Sequence, residues 1–345
     1  LALLGSSLVV VAMSECDATV QKQPLDLCFY RKDAYLDQQL KKRFGCDYRS
    51  INLAAPGQIP SDAYLTLEAA LKNGIKPGAL IYGLAPRDFI DGTLQNAYDT
   101  EPFQYLSHIV DVRNCAGDIY RNPISQVDWG LKRGVFLYGA STEILQELHD
   151  QAWRDLNTFL TAQTGGTAEV MQHPVKPLIP SYQLFDMAPG SMIARADAGR
   201  APCDNTQDYK DRYKNPNLAS YKNQFGFLER LITLCQRNDI ELVLVNMPVT
   251  PHNLSLLGRQ WHERYLRDVA HVAAVHNITY IDECTPGRYQ PEDFHDIVHL
   301  TGKGGKKFID NLVEKLSAAP NASAAMIAAG EQAKRTMATT HGTNL

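Results

Sequence analysis

Short apolar runs alternate with longer amphipathic stretches along most of the chain, a rhythm that predicts βαβ units built around a mostly parallel sheet. The apolar runs fall at residues 1–5, 50–54, 79–84, 241–246 and 278–281, each short enough for a strand. Helical spacing fills the intervals. Ser61-Asp62 opens a stretch that Gly74 closes, residues 221–237 carry apolar side chains at three-and-four spacing, and residues 254–276 and 302–316 continue the series. The pattern predicts a doubly wound, three-layer α/β core of residues 1–90 and 218–317. Residues 91–217 break the rhythm, being richer in Tyr, Asn, Asp and Pro with one amphipathic stretch at 141–159. They are expected to form a large insertion after the third strand, either a lid or wall above the strand ends or a solvated loop bundle. The Ala- and Thr-rich segment 318–345 is expected to be a flexible tail.

Composition narrows the class. The chain has 345 residues, 44% hydrophobic and 21% charged, with a formal net charge of −4. These values fit a globular body and argue against wholesale disorder or a multi-span membrane protein. No long Lys/Arg run is present, so the basic footprint of a nucleic-acid binder is missing and no nucleic-acid partner is expected. The opening run 1–13 is apolar but well short of the roughly 20 residues that a spanning helix needs. Gly5-Ser6-Ser7 interrupts it, and it reads as strand, turn and helix start. Because the chain opens on Leu1 rather than Met, its natural start is expected upstream, with room for a signal or anchor segment.

Seven cysteines lie far apart with no C-x-x-C pair, which argues against a zinc site or a compact disulfide scaffold. Buried thiols are the expectation, and one or two long-range disulfides the alternative. No phosphate- or dinucleotide-binding glycine motif follows a strand, so no cofactor and no metal is expected. Gly302-Lys303-Gly304-Gly305 reads better as a helix start.

Three separated segments carry candidate chemistry. Leu4-Gly5-Ser6-Ser7-Leu8 sits where the first strand turns into a helix, so a serine there has unsatisfied backbone N–H groups and a positive helix end beneath it. The plainer alternative is an N-cap. Asp296-Ile297-Val298-His299 precedes the last helix. It offers from one turn the imidazole that takes a serine's proton and the carboxylate that fixes the imidazole tautomer. A D-x-x-H can also be no more than a polar surface turn. His295 and His252 are rival bases, and the motif's spacing favours His299. The third segment is a pair of strand ends, Ala54-Ala55-Pro56-Gly57-Gln58 and Tyr82-Gly83-Leu84-Ala85-Pro86-Arg87-Asp88. Gly57 can bring its backbone N–H close to a ligand oxygen, or simply turn the chain. Asn246 ends the fourth strand as either a substrate contact or a structural amide.

In order, the serine after the first strand, the glycine after the second, the polar loop after the third and the D-x-x-H before the last helix resemble the four sequence blocks of the SGNH/GDSL hydrolase superfamily. The likeness spans most of the chain. The segments G-S-S-L, I-Y-G-L-A-P-R-D-F, L-V-N-M-P-V-T and D-I-V-H-L-T-G-K-G-G are most similar to a largely cyanobacterial branch. More distantly they resemble the D-alanyl transfer protein of teichoic acid modification and polysaccharide O-acetyltransferase domains.

The resemblance implies Ser7 as nucleophile, His299 as base, Asp296 as orienter, and the backbone N–H groups of Ser7 and Gly57 as oxyanion donors. Ser6 stands where the family usually has aspartate. The family's third block is Gly-x-Asn-Asp, and its asparagine donates to the oxyanion, whereas this chain has no asparagine there. Arg87 either substitutes as a donor, pairs with Asp88 or binds an acidic substrate group. The implied activity is that of an esterase or O-acyltransferase working through acyl-serine on an acylated small molecule or glycan. Cell-envelope or exopolysaccharide substrates, an N-terminal membrane anchor, a membrane acyl-transfer partner and an envelope location follow from the same likeness. The alternative is a non-catalytic glycan-binding or assembly protein with a decayed site.

Overall fold

The computed structural model describes residues 1–27, 29–94, 96–115 and 204–342, with a few single positions between 118 and 194. Within these, the strands are β1 (Ala2–Gly5), β2 (Leu25–Asp26), β3 (Ile51–Asn52), β4 (Ala79–Leu84), β5 (Ile193–Ala194), β6 (Glu241–Asn246) and β7 (Thr279–Asp282). Five of them form an all-parallel sheet in the order β3-β1-β4-β6-β7, while β2 and β5 make a separate antiparallel pair. The helices of the first half are α1 (Ser7–Gln21), α2 (Ala34–Phe44), α3 (Pro60–Lys72), α4 (Arg87–Ile90) and α5 (Glu101–Leu106). Those of the second are α6 (Thr206–Tyr213), α7 (Leu218–Arg237), α8 (Pro251–Leu257), α9 (Arg259–Val275), α10 (Gly302–Ala318) and α11 (Pro320–Gly342).

The chain runs from β1 outward to β3 and then returns past β1 to β4. With right-handed crossovers, that reversal lays successive helices on opposite faces of the sheet. α1, α2 and α10 pack together as one group, and α3 with α7 as another. The sheet is therefore covered twice, which is why β1, β4 and β6 read as continuous apolar runs rather than alternating ones. This is the architecture of a doubly wound α/β fold. The winding reverses at β1, and the crevice beside such a reversal, at the carboxyl ends of the strands, stays open between connections that leave in opposite directions.

Two compact units divide the chain: Leu1–Asp111 with Met187–Leu345, and Val112–Asp186. The second lies almost wholly outside the described residues, as does the amphipathic stretch 141–159. The boundary differs from the 91–217 expected, because α5 and α6 belong with the sheet. Arg212 of α6 pairs with Asp91, and the Tyr213 hydroxyl donates to Asn253 Oδ1 at 3.2 Å.

The segment expected to be a flexible tail is instead α11. Ala322 and Met326 are buried, Gly330 lies against Cys46 and Tyr48, and the Tyr48 hydroxyl donates to the Met326 carbonyl at 2.9 Å. Its alanines, weakly hydrophobic as a pattern, are strong helix formers once a surface receives them. The single helix expected at 254–276 is two, parted at Gly258 with φ +82°. Cys16, Cys46, Cys115 and Cys235 are buried. Among the described residues no helix is long and apolar enough to cross a membrane.

Candidate active site

Ser7 is the first residue of α1, two positions beyond the end of β1. Gly5 makes this turn possible. Its φ is +144°, and a Cβ there would stand 2.5 Å from a Val9 methyl carbon and 2.6 Å from the Gly83 carbonyl oxygen. Only glycine lets the first turn of α1 descend so closely onto the sheet. Ser6, buried and with no side-chain capping bond, holds the N-cap position, so the hydroxyl of Ser7 is not the cap of this helix.

That hydroxyl meets His299 Nε2 at 2.9 Å, across 292 positions of sequence. His299 Nδ1 meets Asp296 Oδ2 at 2.6 Å, and Asp296 Oδ1 accepts from the backbone N–H groups of Val298 and His299, both at 2.8 Å. A proton on Nδ1, donated to the carboxylate, leaves Nε2 with its lone pair toward Ser7. Burial pushes the Asp296 carboxyl up, but the imidazole and the two N–H groups outweigh it and hold the carboxyl below its ordinary range. The Asp296 side chain is 9% exposed and that of His299 23%, so the carboxylate is sheltered while the ring can be reached.

α10 brings this loop to Ser7. Thr301 caps it, accepting from the Gly304 N–H at 3.1 Å. A Cβ on Gly305 would lie 2.2 Å from the Ala12 carbonyl oxygen, and one on Gly302 2.7 Å from that of Glu15. The glycine run expected only to start a helix therefore also seats α10 backbone-to-backbone on α1. The His295 N–H closes the loop by donating to the His299 carbonyl at 2.8 Å.

The rival bases lie elsewhere. The His295 ring pairs with buried Glu15 of α1, and His252 is exposed on α8.

A second arm comes from the loop after β3. Gly5 N–H donates to Gln58 Oε1 at 2.8 Å and Ala55 N–H to the Gly5 carbonyl at 3.0 Å, so residues 55–58 hang on the strand end that carries Ser7. Among the described residues, neither the Ser7 nor the Gly57 backbone N–H donates to a protein acceptor. Arg87, considered above as an oxyanion donor, is instead turned inward. Its Nη1 donates to the Gly57 carbonyl at 3.0 Å, its Nε meets Asp91 Oδ2 at 3.1 Å, and Asp88 is farther off at 3.7 Å. Asn246 is likewise structural rather than a substrate contact: its Nδ2 donates to Asp282 at 2.8 Å and its Oδ1 accepts from the Tyr265 hydroxyl at 3.0 Å. Both ends of the amide are engaged and the side chain is buried, which keeps it from a ligand.

No protein-family model matches the chain, and no curated protein matches it either. Three contributors escaped the sequence reading. Gln58 stood beside Gly57 as an unremarked polar residue, Arg31 Nη1 donates to the Ala54 carbonyl at 2.8 Å, and Asn205 Oδ1 accepts from the Ile297 N–H at 3.3 Å. The only local signal was a polar residue placed directly after a turn glycine; the other two act across long sequence separations. Together the site offers an accessible alcohol, a base aimed at it, a charged orienter, and unengaged N–H groups on two neighbouring segments.

Proposed function

We propose that the chain is a serine esterase or O-acyltransferase of the SGNH/GDSL kind, with acyl-Ser7 as its covalent intermediate. The observation that carries this reading is the unbroken relay from Ser7 Oγ through His299 to Asp296, at 2.9 and 2.6 Å, beside the reversal point of the sheet. Contacts of this length suit a nucleophile, its base and the group that orients the base. Ser7 Oγ bonds to the substrate carbonyl carbon as its proton passes to His299 Nε2, and ionised Asp296 stabilises the imidazolium. Collapse of the tetrahedral species breaks the ester C–O bond, and the leaving alcohol takes the proton from Nε2. Water or a second alcohol then repeats the sequence on acyl-Ser7. The N–H groups of Ser7 and Gly57 serve the oxyanion. Acylated glycans or small molecules of the cell envelope are the substrates that the sequence resemblance suggests.

One observation favours a second reading, a glycan-binding or assembly protein. The loop after β4 has Ala85 where the family has its asparagine, and Arg87 faces inward. Losing one oxyanion donor typically lowers a rate by about 100 to 1,000-fold. A fluorophosphonate probe separates the readings. Wild-type protein is expected to be labelled on Ser7, and Ser7→Ala to lose the label entirely; a folded wild-type chain that resists the probe would favour the binding role.

A further inference from the structure

Gly57 has φ +76° and open space on the side where a side chain would stand, so nothing steric fixes its peptide. It is gripped from both sides instead. On one side lies Gln58, only 1% exposed. Its Nε2 donates to the Leu53 carbonyl at 3.4 Å and to Thr66 Oγ1 at 3.3 Å, and the Thr66 hydroxyl donates in turn to the Asp62 carbonyl at 2.8 Å. A carbonyl can only accept, so the amide must present its oxygen to the Gly5 N–H. On the other side, Arg87 holds the Gly57 carbonyl, while Asp91 holds Arg87 and is itself paired with Arg212. Arginine suits this place because one rigid, permanently charged fork reaches a carbonyl and a carboxylate together.

We infer that Gln58 and Arg87 are positioning residues that clamp loop 55–58 against the Gly5 turn, so that the Gly57 N–H faces the oxyanion formed at Ser7. The inference rests on the serine-hydrolase reading above. It gives the buried arginine a role compatible with the absent asparagine: the site relies on backbone donors and fixes their carrier from outside. Arg87 acts through the Gly57 peptide and touches no reacting atom.

The test uses the full chain with Arg87→Lys, Arg87→Ala and Gln58→Met. The readouts are the second-order rate of fluorophosphonate labelling, kcat and KM on a p-nitrophenyl ester, and the pH midpoint of the labelling rate. Because a misplacement of about 1 Å can cost about 100-fold, each variant is expected to label more slowly by about that factor. The loss should fall on kcat with KM little changed. The pH midpoint should stay at its wild-type value, since the Ser7–His299–Asp296 relay is untouched. Guanidinium ion added to Arg87→Ala should restore part of the rate. Folded variants that label at the wild-type rate overturn the inference, as does a loss explained wholly by a lowered unfolding temperature. Gln58→Met keeps the test decisive if removing Arg87 leaves buried carboxylates that unfold the chain. A wild-type chain that does not label removes the serine-hydrolase reading itself, and the clamp with it.

Discussion

Asp296 does two things with two oxygens. Oδ1 ties down its own loop through the Val298 and His299 N–H groups, and Oδ2 fixes the imidazole. Asp296→Asn should keep much of the loop and lose the tautomer. A drop of about 10⁴-fold in kcat on a p-nitrophenyl ester is the expected result. Because the folded-state pKa is depressed, the carboxylate's contribution to stability is present above the unfolded value and disappears as acid titrates it through the folded one. Thermal unfolding at neutral pH should therefore fall only modestly in the asparagine variant, and the wild-type advantage should vanish in strong acid. At this scale, what was legible followed spacing: Asp296 and His299 lie three apart in one turn, and Ser7 lies two residues after Gly5. Asn246 and Arg87 looked alike as polar residues at strand ends. That both face inward depends on Tyr265, Asp282 and Gly57, which local sequence does not place beside them; only Asp91, four residues after Arg87, is a near neighbour in sequence.

Among the elements, α10 is the one on which the site hangs. Gly305→Val would force a side chain into the Ala12 carbonyl, and Gly304→Val into that of Asp293, 2.1 Å from an ideal Cβ. Gly305→Val should push α10 away from α1 and Gly304→Val should push it away from the loop at Asp293; either should lower the unfolding temperature and slow Ser7 labelling at temperatures where the chain is still folded. Gly302→Ala, facing Thr19 Oγ1 and the Glu15 carbonyl, should do the same. A helix-start reading of G-K-G-G predicts only the small cost of glycine's freedom, which alanine would relieve, so the sign of the stability change distinguishes the two. The sheet strands were legible because burial on both faces leaves nearly uninterrupted apolar runs; β4 and β6 fall at the expected 79–84 and 241–246. α2 was missed because only Tyr35, Leu36 and Leu40 carry its buried stripe within an otherwise charged stretch. α11 was misread because alanine burial depends on a groove that the pattern does not describe.

Across the whole molecule, burial of acidic groups sets the response to pH. Burial pushes the carboxyls of Asp33, Asp62 and Asp88 up, each to about 7, against the bonds and charges that favour ionisation. In the unfolded chain they release their protons near the usual value of about 3.9, so between there and neutrality the folded state binds protons that the unfolded state has lost. Their contribution to stability therefore declines as pH rises through that window. Asp33 is the most direct place to check it, since its Oδ2 is buried with no hydrogen-bond partner among the described residues. Asp33→Asn should flatten the dependence of unfolding temperature on pH between about 4 and 7 relative to wild type, within the window set by the two titrations. An unchanged slope would mean that water reaches the carboxyl.

The distance in sequence between Ser7 and His299 has a consequence in time. The alcohol leaves the ribosome 292 residues ahead of the imidazole, which arrives only after all five strands of the parallel sheet have been synthesised, and α10 must then dock on α1 before the two meet. Through that interval of synthesis the hydroxyl has no imidazole beside it, and the pairing exists only once the two ends of the fold have closed on each other.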